Sequence, residues 1–294
     1  IRADSFDYRN GTQNTGTLVK TTYTYDDVLF NYHFGLVREI TEAGNVYLTY
    51  STASEINGGE SDLGANCGYG GVCVIGGDPE TIKDSEPEST ENIELGTKWN
   101  LFDEKLLATA AVFRITKDDV MEGGGGYTVT GTLNTGKNRV EGIEIGLSGN
   151  LTDRLSTQFG ATAMEAEVLE SAATDPGVIG RTLSNFADNS LYLQLRYAAT
   201  DRFAFGGVLN YVSERYAGQP DSAAAWNTTT NDYSYEVPAY TTLDLFAEYE
   251  LSDKFNLQLN VNNATDKDYY LATYRSGAFT YIGDGRNANL TLSW

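Results

Sequence analysis

Nowhere does the chain offer the roughly 18 to 20 consecutive apolar residues that a membrane-spanning helix needs. Its longest such stretch, LLATAAVF at 106–113, falls far short. Mean hydropathy is −0.35, which argues the same way, and an α-helical membrane protein is excluded. Positive charge is scarce: 20 Lys and Arg stand against 41 Asp and Glu, a net charge of −21. A nucleic-acid binder needs a basic surface to displace counterions, so that class is set aside too. Histidine occurs once, at His33, with no Ser or Cys nucleophile constellation beside it, and this cannot support a hydrolase triad. Proline occurs five times and cysteine twice.

Glycine (31) and tyrosine (20) are abundant, and aromatics make up 12% of the chain. That profile suits many strands and turns, with Tyr placed where one end is wet. The chain opens IRADSFDYRN, with neither Met nor signal peptide, as a processed chain or a piece of a longer one would.

Strict alternation of apolar and polar residues recurs along most of the sequence, the signal of strands with two different faces. In LFAEYEL, Leu245, Ala247, Tyr249 and Leu251 share one side; in KFNLQLNVNN, Phe255, Leu257, Leu259 and Val261 oppose four amides. About twelve strands are predicted, near 2–10, 27–40, 45–56, 90–101, 105–117, 138–150, 154–164, 187–198, 202–213, 239–251, 254–264 and 286–294. Many reach the roughly 9 to 11 residues that a tilted strand needs to cross a bilayer. Tight turns (41–44, 102–104, 151–153, 199–201, 252–253) alternate with long segments (about 11–26, 57–89, 118–137, 165–186, 214–238, 265–285). All short turns therefore lie at one end of the strands. The fold class expected is all-β: a transmembrane antiparallel up-and-down barrel with short periplasmic turns and long outer loops. Closure matters, because an open sheet edge is not tolerated in hydrocarbon.

Aromatics on the apolar parity close to the short turns are expected to form an interfacial girdle: Trp99, Tyr197, Phe203, Tyr249 and Phe255, with Trp294 at the end of the closing strand. The other parity faces the lumen and carries His33, Glu94, Lys98, Arg114, Glu144, Arg196, Asp244 and Glu248, read either as an ion path or as the ordinary polar lining of a barrel.

Three stretches, EPESTENIELGTKWNLFDEKLLATAAVFRITKDDV, NRVEGIEIGLSGNLTDRLSTQFGATAMEAEV and VPAYTTLDLFAEYELSDKFNLQLNVNNATDKDYY, resemble the TonB-dependent outer-membrane receptors, and among them the ferric-siderophore receptors. The terminal GRNANLTLSW looks like that family's closing strand, and the resemblance covers most of 27–294. It implies a parent barrel of 22 strands with a plugged lumen, the outer-membrane transporter class. Neither a TonB box nor a plug is found here, so the resemblance makes residues 1–294 the C-terminal part of the barrel. It also implies a bacterial outer-membrane location, a ferric siderophore of catecholate type as transported ligand, TonB acting through the plug region as partner, and contact with membrane lipid and lipopolysaccharide. No catalytic residue, metal site or resident cofactor is implied. A complete twelve-stranded passive pore is the rival reading, and an outer-membrane hydrolase a second.

Loop residues able to meet a flat, anionic aromatic complex are Tyr127, Arg181, Arg215, Trp226, Tyr233, Tyr235, Tyr274, Arg275 and Tyr281. Arg pairs with charge, and Tyr or Trp stacks on rings. The same residues would serve equally to pack loop against loop. Cys67 and Cys73, six positions apart in CGYGGVC, are expected to form a disulfide in an oxidising compartment. The long loop that holds them is acidic (Glu60, Asp62, Asp78, Glu80, Asp84, Glu86 and Glu88), which repels an anion at long range and fits loop Ca²⁺, cations bridging lipopolysaccharide, or a high-salt habitat.

Overall fold

A computed structural model describes residues 2–14, 17–55, 86–121, 134–172, 176–218, 222–274, 277 and 279–294, with side chains described from Val28 onward. Its strands are β1 (Arg2–Asn14), β2 (Thr17–Leu29), β3 (His33–Thr41), β4 (Gly44–Glu55), β5 (Glu88–Leu101), β6 (Leu106–Met121), β7 (Asn134–Asn150), β8 (Leu155–Glu170), β9 (Asn189–Ala198) and β10 (Phe203–Val212). Four two-residue strands follow: β11 (Arg215–Tyr216), β12 (Trp226–Asn227), β13 (Asp232–Tyr233) and β14 (Glu236–Val237). Then come β15 (Tyr240–Ser252), β16 (Phe255–Asn262), β17 (Tyr270–Thr273), β18 (Thr280–Ile282) and β19 (Asn287–Ser293).

Eleven strands form one sheet, in the order β19-β16-β15-β10-β9-β8-β7-β6-β5-β4-β3, with every neighbouring pair antiparallel. β1 and β2 pair only with each other among the described residues. The segment 11–26, expected to be a loop, therefore belongs to a hairpin, and the strand expected at 27–40 is divided at 30–32. Pairing does not lapse at that break: the Tyr32 N–H donates to Thr52 Oγ1 (3.0 Å) and the Tyr32 carbonyl accepts from the Thr52 N–H (2.9 Å). β2 thus feeds directly into β3. The long connections are also shorter than expected, because β6 runs to Met121, β7 starts at Asn134 and β8 runs to Glu170.

The tight turns follow local chemistry. In LTD and ATD the Thr hydroxyl accepts the N–H three residues on, Leu155 to Thr152 (3.0 Å) and Phe203 to Thr200 (3.0 Å), which closes the turn without a backbone strain.

Register sorts the side chains onto two faces, since directly paired residues project to the same side. One row across six strands reads Leu36, Leu48, Leu95, Val112, Ile143, Ala163. Another reads Phe203, Tyr249, Leu257, Leu292. Most of these apolar side chains stay exposed, Ile143 at 54% and Leu292 at 49%, so the face awaits an apolar solvent and not a protein core. The opposite face carries the Arg196–Glu248 ion pair (2.8 Å), and the Tyr47 hydroxyl donating to Glu94 (2.6 Å) with Lys98 over its ring.

One residue changes sides. Arg114 pairs with Ile93 and with Glu141, so it shares the apolar parity and does not face the lumen. The alternation expected of β6 slips because that strand places Ala and Thr on both parities.

Of the aromatics assigned to a girdle, all six fall on the apolar face by register or parity. Tyr197, Phe203, Phe205 and Tyr249 form a chain of ring contacts at 5.8 to 6.4 Å. The Trp99 indole lies over Gly44 of the adjacent strand, where a Cβ would come within 2.3 Å of the ring.

Candidate functional site

At the end of the sheet away from the tight turns, three connections fold onto one another: 171–188, 213–239 and 263–286. The first turns back on β8 through Val168 N–H to the Arg181 carbonyl (3.0 Å) and Gly180 N–H to the Val168 carbonyl (2.8 Å). Leu183, buried with Ala166 and Val168 and flanked by Val140 and Phe186, supplies the apolar seat for it. It then joins the second connection by backbone bonds from Ala224 to Thr182 (2.8 Å), Ser184 to Ser222 (3.1 Å) and Asn185 to Tyr216 (2.7 Å). Asn185 also reaches the third: its Nδ2 donates to the Thr273 carbonyl (2.9 Å), and its Oδ1 accepts from the Thr273 N–H (3.1 Å). A single residue with its backbone in the left-handed conformation (φ 54°) thus ties three loops together, its N–H reaching the second and its side-chain amide the third.

On this cap the structure brings together Arg181, Trp226 and Tyr233. The guanidinium lies 4.7 Å from the indole centroid, and Trp226 meets Tyr233 edge-on at 5.0 Å. Tyr216 stacks on Tyr233 at 4.4 Å, and the Tyr233 hydroxyl accepts the Thr182 N–H (3.0 Å). Cross-strand register explains the contact, since Trp226 and Tyr233 face each other across the β12–β13 pair. Burial, then Glu236 and Glu214, push the Tyr216 hydroxyl above its usual range, so it stays a neutral donor. All four side chains are half-buried, so ring edges and the cation remain reachable from solvent.

The remaining candidates separate. Arg215 is buried and donates through Nη2 to the Tyr270 carbonyl (3.0 Å) while its guanidinium sits 5.7 Å from the Tyr240 ring. Its work is to pin the third connection. Tyr235 is exposed and packs on Gly277, whose φ of +76° and lack of a Cβ both serve that contact. Tyr274 stacks on Phe279 at 4.5 Å within its own loop, and Tyr281 is exposed on the β17–β18 hairpin. Tyr127, Arg275, Cys67 and Cys73 lie outside the described residues, as does most of the acidic loop. Glu88 belongs instead to β5, buried, with Lys117 at 2.7 Å and the Met121 N–H donating to it (2.8 Å). Sequence reasoning missed Tyr216 and Asn185. The first stands beside the chosen Arg215, and the second gives no local signal because its partners are 88 residues away.

Among the described residues no group of three or more His, Cys, Asp or Glu side chains is placed to hold a metal ion.

Several relatives share this chain's sequence. The probable TonB-dependent receptor BfrD of Bordetella pertussis is 35% identical over 267 residues, which are 90% of this chain and 33% of that protein. The catecholate siderophore receptor Fiu of Escherichia coli is 29% identical over 268 residues, 90% of this chain and 32% of the relative. Among solved structures, the closed form of Fiu superposes with a TM-score of 0.72 at 23% identity, covering 99% of this chain and 40% of that one. The siderophore receptor PiuA of Acinetobacter baumannii gives 0.72 at 24%, covering 99% and 39%. These solved structures establish the fold alone. This chain spans about a third to two fifths of the length of these proteins. The model of the TonB-dependent receptor-like β-barrel matches residues 1–264, and the chain belongs to that family of outer-membrane barrels.

Proposed function

We propose that this chain forms part of the wall and outer mouth of a receptor that captures a ferric siderophore and imports it with energy delivered through TonB. The observation that carries the reading is the Arg181–Trp226–Tyr233–Tyr216 aromatic cluster on a cap made from three interlocked connections. A ferric catecholate is flat, aromatic and anionic. An aromatic cluster bearing a guanidinium at one end answers each of those properties. The match to a protein named as a catecholate siderophore receptor supports the ligand class. Plug and TonB contacts belong to the whole receptor, and the polar face of the sheet is the surface a plug would meet.

The family consists of receptors and transporters, and the proposed mechanism makes and breaks no covalent bond. The rival, a passive twelve-stranded pore, draws on an even strand count and a chain able to close on itself; among the described residues the continuous sheet has eleven strands.

The test is titration of ferric 2,3-dihydroxybenzoate complexes into the receptor carrying this chain, purified from outer membranes and followed by tryptophan fluorescence. Replacing Trp226 by Ala is expected to weaken binding about tenfold, since losing one aromatic contact with its cation partner is worth on the order of 1 to 2 kcal/mol. Unchanged affinity in Trp226→Ala and Arg181→Gln together would remove the cluster from the ligand site.

A further inference from the structure

Beneath the cap, where β9, β10 and β15 reach their outer ends beside β8, the polar face holds a cavity of about 530 Å³. Register builds its wall. Gly160, Tyr192, Asn210 and Thr242 lie in one row across the four strands, with Ser190, Val212 and Tyr240 in the next row outward. Tyr269 of the third connection covers them, its ring 4.7 Å from that of Tyr240 and seated on Gly283, where a Cβ would come within 2.2 Å of it. One row farther in, Asp244 accepts the Asn263 N–H through Oδ1 (2.7 Å). β16 and β19 complete the lining, with Asn262 donating to Asn287 Oδ1 (2.9 Å). At Gly160 the floor is open, since a Cβ there would meet nothing within 4 Å.

We propose that this cavity is a binding site for a neutral mono- or disaccharide, separate from the cluster on the cap. Charge narrows the choice first. Two carboxylates, Asp244 and Asp284, line the cavity, and no Lys or Arg does; Arg215, 5.7 Å from the Tyr240 ring, is not among the lining side chains. An anionic ferric catecholate is therefore repelled here, whereas Arg181 on the cap attracts it. Nor do the two acids make a metal seat, since no group of three ligating side chains occurs among the described residues. What the cavity does offer is Ser190, Asn210 and Thr242, side chains that both donate and accept, beside the rings of Tyr192, Tyr240 and Tyr269. A sugar hydroxyl likewise gives one hydrogen and takes another, and the C–H face of a sugar ring packs on an aromatic side chain with a polar tip. The size agrees, as 530 Å³ falls within the roughly 300 to 1,000 Å³ of small-molecule sites.

Part of the lining is held still by its own bonds. The Tyr192 hydroxyl donates to Gln194 (2.7 Å), which fixes the ring and leaves its face for C–H contact. Asn263 is fully engaged: Nδ2 donates to the Lys267 carbonyl (2.9 Å) and the Asp284 carbonyl (3.0 Å), and Oδ1 accepts the Lys267 N–H (2.9 Å). These bonds make the third connection a fixed roof. Asp244 keeps Oδ2 as an acceptor beyond its bond to Asn263. Burial, then Tyr240, Asp284 and Asp244, raise the Tyr269 hydroxyl above its usual range, so it stays a neutral donor. Farther in, the polar parity of β16 and β19 continues with Asn260, Gln258 and Asn256 against Asn289, Thr291 and Ser293. That track carries no charge down to the tight-turn end, and a neutral solute can follow it by exchanging one hydrogen bond for the next.

The inference rests on the barrel fold and not on the siderophore. Its test uses the receptor carrying this chain, purified from outer membranes in a detergent without a sugar head group. Maltose, lactose and sucrose are offered separately, with gluconate and putrescine as charged comparisons, and binding is read by saturation-transfer NMR of the ligand. At least one disaccharide should show saturable binding, and gluconate none. Gly160→Leu puts a side chain into the open floor without backbone strain and should abolish that binding. Thr242→Val, nearly equal in size, should weaken it about tenfold, the effect of one lost hydroxyl partner. Asp244→Asn keeps an acceptor for the Asn263 N–H and should change saccharide binding little, whereas a cationic ligand would be lost. Ferric 2,3-dihydroxybenzoate titrated into the same samples should bind every variant as it binds the parent, so the two proposals fail separately. No saturable binding of any of the three disaccharides, binding unmoved by both Gly160→Leu and Thr242→Val, or putrescine held more tightly than every disaccharide would overturn the assignment.

Discussion

Asp188 ends the first outer connection with its carboxyl half-withdrawn from water, and burial followed by the charges of Glu214 and Glu165 raises its pKa above the ordinary 3.8. The folded junction therefore prefers the protonated acid. A group with a raised folded pKa contributes stability that is complete below its unfolded value and is lost as pH climbs through the folded one. Near neutral pH the charged carboxylate is a local strain on a joint that also carries the Asp188 carbonyl to Met164 N–H bond (2.8 Å) and the Ser213 to Asn189 bond (2.9 Å). Amide exchange at Met164 and Ser213 should accordingly slow as pH falls from 7 towards 4, after correction for intrinsic chemistry. Asp188→Asn should show the slow, acid-like exchange already at pH 7. Identical corrected rates in wild type and variant across that range would mean the carboxylate is relaxed by solvent.

Strands β5, β6 and β7 outrun their expected ends because their outer tips are fastened by side chains and not by alternation. Asn134 is the fastener: its Nδ2 donates to the Glu86 carbonyl (2.8 Å) and the Asp119 carbonyl (2.7 Å), while its Oδ1 accepts the Glu86 N–H (2.9 Å). Buried at 7% exposure, it satisfies backbone groups of two other segments at once. Asn134→Ala would leave those groups unpaired and should cost about 2 to 3 kcal/mol locally, three hydrogen bonds of roughly 1 kcal/mol each. Limited proteolysis should then cut near 119–121 and 134–137 at conditions where the parent chain resists; an unchanged cleavage pattern would show that strand pairing alone holds the tips. Most of the sheet was readable from sequence because period-two alternation and turn residues are local, as in LFAEYEL and the Thr turns at 152 and 200. The cap was not. Partners of Asn134 and Asn185 lie 48 and 88 residues off, and Tyr216 resembles any other loop tyrosine until β12 and β13 bring Tyr233 against it. Arg114 was misplaced for a related reason. β6 has Ala110 and Ala111 and Thr109 and Thr116 on both parities, so only its pairing with Ile93 reveals the side it takes.

For the molecule as a whole the decisive number is the parity of the sheet. Among the described residues eleven strands, each antiparallel to the next, leave β3 and β19 at the edges running in the same direction. Joining these two edges would need a parallel seam, and single-chain outer-membrane barrels of bacteria are antiparallel throughout with even strand numbers. Every side chain described in β3 and β19 is exposed, so neither edge is shielded by loop or helix among the described residues. In hydrocarbon such edges carry a row of unpaired N–H and C=O groups, each costing several kcal/mol. The sheet therefore requires an odd number of further antiparallel strands before it can stand in a membrane, and the apolar and polar faces of β3 and β19 already have the alternation to receive them. Residues 1–294 expressed alone and refolded into detergent or bilayers should accordingly show neither the heat-modifiable gel mobility of a closed barrel nor single channels of uniform conductance. Added strands that complete the sheet should restore the first of these. Uniform, long-lived channels from the isolated chain would mean that β3 and β19 find partners in a way the antiparallel rule does not allow, and the wall reading would give way to a self-contained pore.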